Sequence, residues 1–251
     1  MKAMIFAAGV GSRLRPFTLE HPKALAPVGG RPILERVVRN VVAAGAEAVV
    51  VNVHHFADQV KDFLAGEDFG VPVSVSDESA LLLDTGGGVL KARPLLAADG
   101  PFLVHNADIL TDVDLADMYR QHCESGADVT LLATPRKTSR YLYFSPETGR
   151  LLGWSNDKTG ETRPTGFVPD AGMLKLAFGG IHVISPSVFP VLAAYAPADT
   201  PFSTTPFYVD NISTLNIQAY TPHSGFTWCD IGTPESLQRA NTIIENGLIS
   251  N

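Results

Sequence analysis

The densest chemistry lies in the segment Met4-Ile-Phe-Ala-Ala-Gly-Val-Gly-Ser-Arg-Leu-Arg-Pro-Phe-Thr-Leu-Glu-His-Pro-Lys23. An apolar run enters Gly9-x-Gly11, and Arg13, Arg15 and Lys23 follow within one loop. Glycines let a backbone turn sharply and aim its N–H groups at an anion. Cationic side chains beside a strand end then suit a polyphosphate. Taken alone, the spacing also fits an ordinary strand-to-helix turn with solvated arginines. It does not fit a dinucleotide-binding loop, because Leu14 stands at the third glycine and Arg15-Pro16 would break the helix. It does not fit a P-loop either, because no Gly-Lys-Ser/Thr follows.

Three later segments carry polar chemistry. Asp84-Thr85-Gly86-Gly87-Gly88 holds three consecutive glycines, whose ordering is entropically costly. That cost makes sense where backbone lies flat against a ligand; a flexible surface loop is the plain alternative. His105-Asn106-Ala107-Asp108 follows the apolar strand Phe102 to Val104. It puts a carboxylate at the carboxyl end of a strand, where open α/β sheets bind ligands. Such an acid can bind Mg²⁺ or cap the next turn or helix. Asp112 and Asp114 read as caps or supporting groups. In Trp228-Cys-Asp-Ile-Gly-Thr-Pro-Glu235, Thr233 suits an N-cap and Pro234 a first helical turn. Neither role requires Asp230.

The run from Gly9 to Lys23 resembles the signature of the sugar-1-phosphate nucleotidyltransferases. Gly9, Gly11, Ser12, Arg13, Leu14, Pro16, Thr18, Pro22 and Lys23 all fit it, with Ser12 where Thr is more usual. The resemblance implies that backbone from Ala8 through Ser12 holds a nucleoside triphosphate. It implies Arg13 on the β- and γ-phosphates and Lys23 near the α-phosphate, so that Arg13, Lys23 and Asp108 carry the catalysis. Thr85, Gly86 and Gly87 resemble the element that lies against the nucleobase, and Asn106 joins the nucleotide site. Asp108 aligns with a metal ligand, although Ala107 replaces the usual glycine. Asp230 aligns with the second carboxylate of a magnesium site. Phe178-Gly179-Gly180-Ile181 resembles the strand that borders the sugar, with Gly180 as a close-approach glycine. Asn52 joins Gly179 and Gly180 on the sugar-phosphate side, and His54 and His55 close the same strand. His182 reads as a pairing strand residue, not a catalyst. A zinc reading of His54, His55 and His105 lacks cysteine support.

The implied reaction joins an NTP and a sugar 1-phosphate into an NDP-sugar with release of pyrophosphate, using Mg²⁺. The form Thr85-Gly-Gly-Gly favours UTP over GTP as donor. The likeness runs to the short bacterial group of N-acetylmuramate 1-phosphate uridylyltransferases and mannose 1-phosphate guanylyltransferases. One alternative is a cytidylyltransferase for an alcohol phosphate such as phosphocholine, with Trp154, Tyr141 and Tyr143 as an aromatic cage. Another is an inactive nucleotide-sugar sensor.

These groups need a scaffold, and the pattern supplies one. Strand-like runs at Ala3 to Ala8, Ala48 to Val53, Val71 to Val75, Phe102 to Val104 and Asp128 to Ala133 alternate with helical segments. The helical segments are Pro32 to Ala44, Ala57 to Leu64 and Leu115 to Cys123. That alternation predicts an α/β fold: a three-layer, Rossmann-like open mixed sheet, mostly parallel. Residues 135–175 change texture and read as a small antiparallel insertion on the sugar side. Leu176 to Ile184 and Ile217 to Tyr220 return as strands, and Pro186 to Tyr195 and Pro234 to Gly247 as helices. The simplest organisation is one catalytic domain over residues 1–251. The net charge of -7 argues against a generic nucleic-acid or membrane binder. Gly9 and Arg13 interrupt the apolar N-terminus before it could act as a signal peptide. A cytoplasmic protein, monomer or homodimer, is expected. Cys123 and Cys229 lack C-x-x-C spacing and read as core thiols.

Overall fold

The computed structural model describes residues 1–96, 100–222 and 225–249. In chain order the strands begin with β1 (Lys2–Phe6), β2 (Pro27–Val28), β3 (Arg31–Pro32), β4 (Ala48–Val53) and β5 (Val73–Asp77). There follow β6 (Phe102–Asn106), β7 (Ile109–Thr111), β8 (Val129–Thr134), β9 (Arg140–Phe144) and β10 (Leu151–Asn156). The last are β11 (Glu161–Arg163), β12 (Leu174–Ile184), β13 (Ile217–Tyr220) and β14 (Trp228–Asp230). The helices are α1 (Ile33–Ala43), α2 (Ala57–Gly66), α3 (Asp84–Leu96), α4 (Leu115–Ser125), α5 (Val188–Tyr195), α6 (Thr204–Asp210) and α7 (Pro234–Glu245).

Alternation of side chains along the strands builds the layers. Ala3 and Ile5 of β1 enter one core and Met4 the other. In β4, Val49, Val51 and Val53 oppose Val50; in β6, Leu103 opposes Phe102 and Val104. The first core is closed by Ile33, Val37 and Val41 of α1, Val60 of α2 and Met118 of α4. The second is closed by Val89 and Ala92 of α3, Phe189 of α5 and Phe207 of α6. Nearly continuous β-branched runs are what a sheet covered on both faces requires.

The sheet is mixed. β1 lies between β4 and β6, and β4 pairs with β5, all in parallel. β12 pairs antiparallel with both β6 and β8, and β13 joins β8 in parallel. The first residues of β12, Leu174 to Leu176, pair instead with β9. β9, β10 and β11 continue antiparallel from there. The stretch 135–175 is therefore an antiparallel excursion from the main sheet, as its texture indicates. Local signals set the helix ends. Asp114 caps α4 by accepting from the Asp117 amide at 2.8 Å. Thr233 and Ser236 form a reciprocal capping box at α7, with Pro234 in its first turn. Among the described residues no helix is long and apolar enough to cross a membrane.

Among the described residues three histidines are fully enclosed by these layers: His105, His122 and His182. Burial pushes His105 and His122 down to about 4 and His182 to about 3. Each is neutral when folded and regains an ordinary value of about 6.5 when unfolded. Unfolding therefore takes up protons below pH 6.5, and stability falls as pH drops from about 6.5 to about 4, with His182 extending the fall to about 3. Thermal melts across this window should show that decline. His122→Gln should reduce its slope by about one proton; an unchanged slope would contradict the assignment.

Candidate functional site

The parallel strands share one rung at their carboxyl edge. Phe6 pairs in register with Asn52 on one side and Asn106 on the other. A cavity of about 580 Å³ opens above this rung, where open α/β sheets bind ligands. Its wall includes Ala8, Gly9, Gly11, Ser12, Arg13 and Lys23.

The loop from Gly9 to Lys23 folds as three single turns of 3₁₀ helix, Ser12–Leu14, Phe17–Leu19 and Lys23–Leu25. Gly11 sits in the left-handed region with φ 65°. A Cβ there would lie 2.9 Å from Lys23 Cβ and 3.1 Å from Thr18 Cγ2. Thr18 Oγ1 donates to the Gly11 carbonyl at 2.9 Å, and the Leu14 amide does the same at 2.9 Å. The spacing Gly11, Leu14, Thr18, Lys23 is thus a packing unit. Gly9 differs, for a Cβ there would meet nothing within 4 Å. Among the described residues, the amides of Ala8, Gly9, Val10 and Gly11 find no protein acceptor. A cluster of free amides beside two cations suits an anion. Gly11→Ala is expected to lower stability by about 1–3 kcal/mol, the usual cost of a left-handed non-glycine residue. Gly9→Ala should leave stability within about 1 kcal/mol. Urea melts of both variants decide it, and equal effects would remove the distinction.

The two aspartates converge. Asp230 ends β14 and pairs in register with Ile109 of β7, the residue after Asp108. The Ile231 amide donates to the Asp108 carbonyl at 3.0 Å. The Lys23 ammonium forms an ion pair with Asp108 Oδ2. Asp230 is half-exposed, with Arg239 Nη2 at 4.0 Å. A Cβ at Gly232 would lie 2.9 Å from Asp230 Oδ2 and 3.2 Å from Arg13 Nη2. Arg13 and Asp230 therefore flank the same glycine. Two carboxylates suit Mg²⁺, which takes one or two protein carboxylates and completes its shell with water and substrate phosphate. Among the described residues, no cluster of three or more His, Cys, Asp or Glu side chains is placed to hold a metal. His54, His55 and His105 are therefore not grouped as a metal site among the described residues. His54 Nδ1 instead meets the Glu78 carbonyl at 2.7 Å, and His105 Nδ1 the Asn106 carbonyl at 2.8 Å.

A second cavity, of about 610 Å³, adjoins the first. Phe6, Asp84, Thr85 and Asn106 line both. The antiparallel excursion supplies much of its remaining wall, including Arg140, Trp154 and Arg163. Arg136, Phe178 and His182 complete the part that matters here. His182 is a buried strand residue, as its sequence context indicates, with Nδ1 2.8 Å from Tyr208 Oη.

Several sequence expectations shift. Asp84 to Gly88 is neither a loose loop nor a flat platform, for it opens α3. The Gly86 and Gly87 amides donate to the Phe202 carbonyl at 2.8 and 3.2 Å. Thr85 Oγ1 accepts from the Thr204 amide at 2.9 Å. Gly86 and Gly87 are buried against Phe202 and Thr200, so of this segment Asp84 and Thr85 face the cavities. Asn52 lines the first cavity, not the second. Its side chain accepts from the Ala7 amide and donates to Glu78, both at 2.8 Å. Gly179 packs on Leu132 and accepts from Trp228 Nε1 at 2.9 Å. At Gly180, φ is 75° and a Cβ would lie 2.8 Å from Asn106 Nδ2. Both glycines thus position neighbours of the second cavity without lining it. Cys229 is buried as expected, but Cys123 is exposed on α4. Sequence reasoning missed Phe6, Asp84, Arg136, Arg140 and Arg163 as wall residues. The available signal was the basic texture after Pro135.

The nucleotidyl transferase family profile matches residues 2–150 of this sequence. The chain belongs to the nucleotidyl transferase family. The match spans the Gly9–Lys23 loop and Asp108, and Asp230 is brought to them by the β7–β14 pair. An N-acetylmuramate alpha-1-phosphate uridylyltransferase of Caulobacter vibrioides is 31% identical over 240 residues, 93% of each chain. Its counterpart from Neisseria meningitidis is 29% identical over 97% of this chain and 98% of its own. A solved Bacillus anthracis structure in complex with a sucrose covers 100% of this chain and 97% of that one. Its TM-score is 0.80 at 20% identity, which speaks to the nucleotidyl transferase fold alone.

Proposed function

We propose that this nucleotidyl transferase moves a nucleotidyl group from an NTP to a sugar 1-phosphate, releasing pyrophosphate, with UTP preferred over GTP. The observation that carries the reading is the pair of cavities joined at Asn106 and Thr85. One holds Lys23, Arg13, Asp108 and free amides; the other is basic. Two anions can meet there. Support for uridylyl transfer is that both uridylyltransferases named above align over almost their whole length.

An oxygen of the sugar phosphate forms a new bond to the α-phosphorus. The bond from that phosphorus to the β-bridging oxygen breaks, and pyrophosphate leaves with the electron pair. The attacking group is already anionic, so the site needs no general base. Repulsion and leaving-group charge are what it must offset. Lys23 neutralises charge near the α-phosphate, moving from Asp108 to the substrate. The amides from Ala8 to Ser12, together with Arg13, hold the departing pyrophosphate. Asp108 and Asp230 would hold Mg²⁺, which when bound screens charge on the reacting phosphates.

The phosphocholine alternative is weakened by one detail. Lys175 Nζ already lies 4.2 Å from the Tyr141 ring centroid and 6.0 Å from that of Tyr143. Only Trp154 of the three cage candidates lines the second cavity. The sensor alternative leaves the convergence of Lys23, Asp108 and Asp230 without a purpose. A screen of pyrophosphate release tests the proposal, with four NTPs against a panel of sugar 1-phosphates, with and without Mg²⁺. Turnover with UTP and a sugar 1-phosphate is expected; release with no pair of substrates would sink the reading.

A further inference from the structure

The three arginines of the second cavity are not equivalent. Arg140 is exposed on β9. Arg163 is spent on Glu161, donating from Nε to Oε1 at 2.8 Å. Arg136 is half-buried and held from two sides. Its Cζ lies 4.1 Å from the Trp228 ring centroid, and its Nη2 donates to the Phe178 carbonyl at 2.8 Å. Trp228 is itself anchored through Nε1 to the Gly179 carbonyl at 2.9 Å. It stands two residues before Asp230 on the same strand.

This arrangement is unusual for a structural arginine. A guanidinium carries five N–H donors. Arg136 uses one on Phe178, and its Nε is buried with no hydrogen-bond partner among the described residues. Burial pushes its pKa below the ordinary guanidinium value, while the charge of Asp230 pulls the other way. The group stays cationic, since arginine does not lose its proton in proteins. Nε is enclosed, so the donors left for a ligand are those of the terminal Nη atoms. Nη1 has no hydrogen-bond partner among the described residues, and a half-buried cation with unused donors favours an anion there. Its conformational freedom is already lost to Trp228 and β12, so anion binding there has little further ordering cost.

We propose that Arg136 clamps the phosphate of the second substrate at the end of the second cavity beside Asp230. In the transfer reading, on which this assignment rests, that phosphate is the attacking anion of the sugar 1-phosphate. A planar fork stacked on an indole fixes where the phosphate sits as well as neutralising it. The stacking partner lies on the strand that carries Asp230. The clamp and the carboxylate therefore keep a constant separation.

The test uses Arg136→Gln and Arg136→Lys in the full chain, with thermal melts to confirm folding. Binding of UTP, inorganic phosphate and sugar 1-phosphates is measured by calorimetry, and KM and kcat by pyrophosphate release. Arg136→Gln is expected to weaken phosphate and sugar 1-phosphate by about 10- to 100-fold while UTP changes by less than about twofold. Arg136→Lys should fall between, keeping the charge without the fork. Equal weakening of UTP and sugar phosphate would show a structural role through Trp228 and overturn the proposal. So would unchanged sugar-phosphate and phosphate binding, or a wild-type protein that binds neither. If the selective loss is seen but no substrate pair releases pyrophosphate, the clamp stands and the transfer reading falls.

Discussion

Asp108→Asn is expected to lower the rate of pyrophosphate release by about 10²–10³-fold or more, the scale seen when one preorganised electrostatic group leaves a reacting centre. The substitution keeps size and shape but removes the charge that faces Lys23 and the proposed metal position. Folding should survive, because the Lys23–Asp108 pair is partly exposed and such pairs add little to stability. The response to Mg²⁺ is the sharper readout. The variant should need much more Mg²⁺ for its residual rate, because only Asp230 of the converging pair remains charged. A variant with near wild-type rate and an unchanged Mg²⁺ titration would remove Asp108 from the mechanism.

Lys23→Met is expected to lower kcat by about 10²-fold or more. Methionine keeps the unbranched stem against which Gly11 packs, so the loop should hold its shape. What disappears is the ammonium beside Asp108. If Lys23 served only to hold Asp108 in place, the melting temperature would fall while the rate stayed near normal. The proposed role in neutralising the α-phosphate predicts the reverse pattern. Single-turnover measurements at saturating UTP separate that loss from weaker binding.

Much of this site is legible in the sequence because its parts sit where periodicity changes. The apolar runs of β1, β4 and β6 end at the positions that share the rung Phe6, Asn52 and Asn106. The N-cap Thr233 and the Pro234 that follows announce α7 correctly. Glycine is harder to read. Gly9 faces an open cavity, whereas Gly86 and Gly179 are small because protein presses on them. Composition alone does not separate close approach to a ligand from close approach to a phenylalanine. The helix Thr204–Asp210 escapes notice because it is short and contains Pro206. Thr85 and Gly86 nevertheless depend on it and on the preceding Phe202 for their position. The arginines of the second cavity carry no periodic signal: Arg136 lies between β8 and β9, Arg140 opens β9 and Arg163 ends β11, so only the shared basic texture marks them. Cys123 was expected inside because free cysteine is usually buried. It lies on the solvent side of α4, where the helical register, not the residue type, decides.

The small ribbon of β7 and β14 separates two properties of this protein. Asp108 and Asp230 are spaced by a single antiparallel register that does not belong to the main sheet. The chain between Thr111 and Trp228 holds the excursion β9 to β11, whose residues line the second cavity. That stretch can lengthen, shorten or change its side chains while the ribbon keeps its rungs. On the proposed reading, recognition of the acceptor can therefore be rebuilt without disturbing the distance between the two acids. On that reading the architecture lets acceptor choice drift in evolution around a fixed pair of acids.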